Sequence, residues 1–97
     1  MTTELLTIDM FSDKVGQTFV IEEAGMPAIA LTLTEAKASR NFARAARAPF
    51  SLMFTCSGDV LPQKIYALRH PQLGVQSIFL VPIGRDAGEV TYQAVFN

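Results

Sequence analysis

Leu61-Pro62-Gln63-Lys64-Ile65-Tyr66-Ala67-Leu68-Arg69-His70-Pro71-Gln72-Leu73-Gly74, continued by Val75 to Gly84 and closed by Tyr92-Gln93-Ala94-Val95-Phe96-Asn97, decides the fold. Apolar residues recur at every second position along this stretch and Pro or Gly stands at the breaks, which is the pattern of three pleated strands joined by two tight turns. Tyr66, Leu68 and His70 share a face of the first strand, and Pro71-Gln72-Leu73-Gly74 closes a hairpin. From Val75 to Pro82 both faces are apolar, with Val75, Phe79 and Val81 on one and Ile78 and Leu80 on the other. That suits a strand covered on two sides, either central or at an interface. Arg85-Asp86-Ala87-Gly88 turns the chain into the last strand, where Tyr92, Ala94 and Phe96 oppose Thr91, Gln93 and Val95.

Toward the N-terminus the same alternation continues. Phe50, Leu52, Phe54 and Cys56 face inward, with Ser51, Met53 and Thr55 on the other side and a turn at Ser57-Gly58-Asp59. Ile29, Leu31 and Leu33 alternate with Ala30, Thr32 and Thr34 as in a half-buried antiparallel strand. Gln17 to Glu22 begins another strand, with Phe19 and Ile21 on one face, and Glu23 to Pro27 is a turn. Residues 1–15 have the spacing of a turn or short helix, which Asp9 or Ser12 could cap. Six strands with short links and no long helices predict an all-β antiparallel fold, a small barrel-like meander or a compact sandwich.

Ala36 to Ala48 is compositionally distinct: it is Ala-rich and holds Lys37, Arg40, Arg44 and Arg47, four of the chain's eight basic residues. Alanine and arginine favour helix, but Phe42 is the only large apolar side chain. A helix there would bury little, so a loop, with or without a helical turn, is expected. These four cations are the candidate binding residues, suited to phosphates or to an acidic protein surface. Charge is lopsided along the chain: residues 1–35 hold six acidic and one basic group, net −5, and residues 36–97 seven basic and three acidic, net +4. One molecule's basic segment could therefore meet a neighbour's acidic half.

The chain's 97 residues suffice for a single domain spanning 1–97 and are too few for two. Apolar residues make up 49% and charged residues only 18%, against about 25% charged in an average domain. Exposed aliphatics must fill part of the surface, which points to self-association. A net charge of −1 provides no field for steering toward nucleic acid or an anionic membrane. The single cysteine allows no internal disulfide. Neither a secretion signal nor a run of ~18 apolar residues is present, so a cytoplasmic address is expected.

No grouping of side chains suggests chemistry. His70, the sole histidine, has no partners clustered near it in sequence and reads as an imidazole bonded to loop backbone. Ser51 or Ser77 with His70 and Asp59 would make a nominal triad without the motif context that a triad requires. Cys56 is in phase with the core, and Glu22-Glu23 reads as a solvated turn. The expectation is a non-enzymatic module without metal or cofactor, working by protein contact as a homo-oligomer or as an accessory that binds another protein of a larger assembly. A barrel binding a small or phosphate-bearing ligand through the arginine segment is the alternative.

As a set, Phe50-Ser51-Leu52-Met53-Phe54, Leu61-Pro62-Gln63 with Tyr66, Leu68, His70-Pro71 and Leu73-Gly74, Phe79 to Gly84, and Tyr92 with Ala94 to Asn97 resemble a family of roughly hundred-residue bacterial proteins of unknown function. The resemblance spans Val15 to Asn97 and implies a stand-alone β domain, accessory to a larger, phage-tail-like assembly. The Ala36–Ala48 stretch is longer than such sequences lead one to expect.

Overall fold

A computed structural model describes residues 6–38 and 49–96. A short helix, α1 (Asp9–Ser12), precedes six strands: β1 (Thr18–Ile21), β2 (Ile29–Ala38), β3 (Phe50–Ser57), β4 (Lys64–His70), β5 (Gly74–Asp86) and β6 (Glu89–Phe96). All pairings are antiparallel, and they close a barrel in the order β1-β2-β3-β6-β5-β4. The expected all-β barrel of six strands is what forms. Its order is two three-stranded meanders, β1–β3 and β4–β6, joined along the β3/β6 and β1/β4 seams.

Alternation sets which residues enter the barrel. Phe19 and Ile21, Leu31 and Leu33, Phe50, Leu52 and Phe54, Tyr66 and Leu68, Ile78 and Leu80, and Tyr92 and Ala94 are all at most 1% exposed and fill the lumen. Each is the inward member of a pleat whose other members face out. Burying a side chain of this size stabilises by about 1.5–3 kcal/mol, so the interior is where the chain's stability lies.

Both barrel ends are stoppered by chain. At one, α1 inserts Phe11, fully buried, against Phe19, Phe50 and Phe96, with ring centroids 6.0–6.3 Å apart. Gly16 N–H donates to Leu33 O and Leu33 N–H to Gln17 O, stitching the segment after α1 to β2. Neither expected cap serves: Ile8 occupies the N-cap without a side-chain bond, Asp9 is the first helical residue and Ser12 the last. The helix is held by Phe11's burial rather than by capping.

At the other end, the connection from β3 to β4 must cross between strands that lie opposite each other in the ring. It does so over the barrel mouth, and two buried tyrosines hold it there. Leu61 N–H donates to Tyr92 Oη (2.9 Å), and Tyr66 Oη–H donates to Pro62 O (2.5 Å).

Two boundaries differ from the sequence reading. β2 runs on to Ala38, so Ala36 to Ala38 belong to a strand, paired with Leu52 to Phe50, and not to a loop or helix. Pairing with β3 overrides the weak β preference of Ala and Lys. β5 likewise continues to Asp86, which leaves Ala87-Gly88 as the turn.

Candidate interaction surface

The outward side chains of β4, β5 and β6 compose one wall of the barrel. Ile65 lies opposite Phe79 in the β4/β5 register. Continuing the β5/β6 register from Val81↔Gln93 by one pleat sets Val95 beside Phe79, and Val95 in turn lies opposite Ser51 on β3. Ile65, Phe79 and Val95 therefore form a row across three strands, 59%, 45% and 58% exposed. Val75, also exposed, and the half-buried Val81 and Met53 extend it. The two-faced apolar pattern of β5 is thus resolved into a buried inner face, Ile78 and Leu80, and an open outer one.

Charge flanks the row on the β1 side, where Glu22 pairs with Arg69, and Glu23 with Lys64 at 3.1 Å. Lys37, exposed on β2 beyond Ser51, stands on the strand opposite β5 in the ring and faces away from the row. Of the four candidate binding residues only Lys37 falls within the described residues; Arg40, Arg44 and Arg47 lie outside them. Lys37's place in a strand differs from the loop position expected for it.

The residues considered for chemistry are dispersed. His70 is buried at the α1 end, Asp59 lies in the crossing at the opposite end, and Ser51 and Ser77 sit on the outer wall. Cys56 is in the core, its Sγ–H directed at Ser57 O (3.2 Å), and burial, with Glu89 adding to it, pushes its pKa up. Such a thiol is disfavoured as a thiolate. Among the described residues no group of His, Cys, Asp and Glu could hold a metal ion, and no helix is long and apolar enough to cross a membrane.

The His70 surroundings contain what the sequence reading missed. As expected, the ring bonds to loop backbone: Gln72 N–H donates to Nδ1 at 3.1 Å. Its Nε2 bonds to Gln17 Oε1 at 2.6 Å, and the ring packs on Phe19 with centroids 4.7 Å apart. Lys14, a lysine within an exposed-looking stretch, is 8% exposed and bonds Asp13 Oδ1 at 2.7 Å. Burial lowers the His70 pKa, the Lys14 cation lowers it further, and Asp13 opposes both.

No curated protein and no solved structure matches the chain. A family model described as a domain of unknown function (DUF6916) matches residues 6–96, which takes in α1, all six strands and the outer wall. The chain therefore belongs to this family, in keeping with the resemblance to a family of about a hundred residues without assigned activity.

Proposed function

We propose that this protein is a non-enzymatic contact module that pairs with a second copy of itself through the outer wall of β4, β5 and β6. The observation that carries this reading is the exposed row Ile65–Phe79–Val95. Contiguous apolar surface of this kind marks contact sites on small domains. A second copy is the occupant because the row is centred on β5 and can meet itself across a two-fold axis along that strand. Such an axis seats Phe79 on the partner's Phe79 and Ile65 on the partner's Val95. A stable contact buries roughly 800 Å² per partner, so it extends past the row to Val75, Val81 and Met53. A filled lumen also favours the outer wall over the interior as the working surface.

Sedimentation equilibrium of the native chain and of Phe79→Asp tests this. The native chain is expected as a dimer at micromolar concentration and the variant as a monomer with unchanged circular dichroism, because Phe79 contributes little to the core. Val95→Asp, which sets a carboxylate against the partner's Ile65, should weaken the dimer likewise. A native chain that stays monomeric at hundreds of micromolar overturns the proposal. It would leave the wall to a different protein, as an accessory role in a larger, phage-tail-like assembly requires.

A further inference from the structure

The α1 end of the barrel is closed by a plug, residues 6–17, whose anchorage includes one titratable joint. Phe11 fills the end, and Gly16 and Gln17 bond to Leu33 by backbone. Beyond these bonds the plug is fastened by Gln17 Oε1 to the His70 imidazole, which is 3% exposed. The neutral ring is fully used there. Nδ1 accepts from Gln72 N–H, so the ring proton sits on Nε2 and is given to Gln17. A second proton has one place to go, Nδ1, where it would meet the Gln72 N–H head on.

Charge works in the same direction. Among the described residues, the charged groups facing the ring are Lys14 and Asp13, both from the plug itself. Asp13 is an exposed carboxylate engaged with Lys14, whereas Lys14 is a buried cation. β1 offers the ring only the face of Phe19, the turn after β4 carries no charged residue, and the neighbouring Arg69 is turned outward onto Glu22. An imidazolium would thus be buried beside an ammonium and would lose a hydrogen bond.

We propose that His70 is a pH-sensitive latch: neutral, it holds the N-terminal plug on the barrel end, and protonated, it releases the plug while the barrel stays closed. The barrel ring does not pass through α1; its seams are strand pairings made without it. The sign follows from linkage. With the plug undocked the ring takes its proton near the ordinary value of 6.5, and with the plug docked it does so only at lower pH. Between these two values the open form holds more protons, so acidification drives opening. Above about pH 6.5 the latch is fully effective, and its grip is lost as pH falls toward the docked value.

Nuclear magnetic resonance of the full labelled chain from pH 7.5 to 4.5 tests the latch. The cross-peaks of the Phe11 ring to Phe19 and Phe50 are expected to disappear below pH 6.5, tracking protonation of His70, while the amides of β3 and β6 remain protected. His70→Gln, which bonds without titrating, should keep those cross-peaks down to pH 4.5. Should that variant fail to fold, Lys14→Met serves instead. It removes the cation facing the ring, brings the docked ring's titration closer to 6.5 and reduces the extent of opening. Three results overturn the proposal: a protonated His70 with Phe11 still docked, loss of the β3 and β6 amides together with the plug, or an unchanged transition in the variant that folds.

Discussion

Tyr92 combines two tasks in one side chain. Its ring is fully buried on β6, and its hydroxyl emerges at the barrel mouth to accept the Leu61 N–H. Burial raises its pKa, with the Leu61 bond acting in the opposite direction, so the phenol stays protonated at neutral pH. Tyr92→Phe should leave the ring packing intact and destabilise the chain by about 1 kcal/mol, the usual net worth of a hydrogen bond near water. Urea denaturation checks this, and a change of midpoint without a change of slope is the expected form. The inward placement of Tyr92 was legible from its alternation with Thr91 and Gln93. Its partner was not, because Leu61 lies 31 positions away and hydrogen bonds at that range leave no periodic trace. Lys14 was hidden for a related reason: a lysine reads as surface until tertiary contacts enclose it.

Among the elements, the β5–β6 hairpin is the one whose turn chemistry is out of keeping with its geometry. Its two turn residues both have positive φ, 52° at Ala87 and 81° at Gly88, as in the type I′ turn that suits strand twist. Alanine in that region is disfavoured, so Ala87→Gly or Ala87→Asn is expected to stabilise by about 0.5–1 kcal/mol, read as a raised melting temperature. β4 accompanies β5 only to Leu80, so Val81 to Asp86 run past it. Pro82, without an N–H, and a bulge before Gly84 guard this length of edge. Strand identity was readable here because half-buried strands print their faces at period two. Strand ends were less so. Ala36 to Ala38 use residues common in helices and loops, and only their pairing with β3 makes them a strand.

For the molecule as a whole, closure distributes stability around the ring. β6 lies between β3 and β5, so deleting residues 92–97 removes Tyr92 and Ala94 from the core and opens two ladders at once. Lost burial of Tyr92 alone is worth about 1.5–3 kcal/mol, against total stabilities of about 5–15 kcal/mol for small domains. The truncated chain is expected to lack a cooperative melt by circular dichroism. That the strands close on themselves was foreseeable from six alternating segments without helices to cover them. Which strand neighbours which was not, since alternation tells a residue's face and is silent about the strand across the ladder.

The passage from β3 to β4 over the barrel mouth governs how the ring is assembled. Each meander can zip locally, by hairpins close in sequence, but neither covers its own apolar face. The seams between β1 and β4 and between β3 and β6 join distant parts of the chain, and such contacts carry the entropic penalty that slows folding. Two quickly formed halves therefore wait on a single docking event, and the rate of that event sets how long the greasy inner surfaces stay open to water and to other chains.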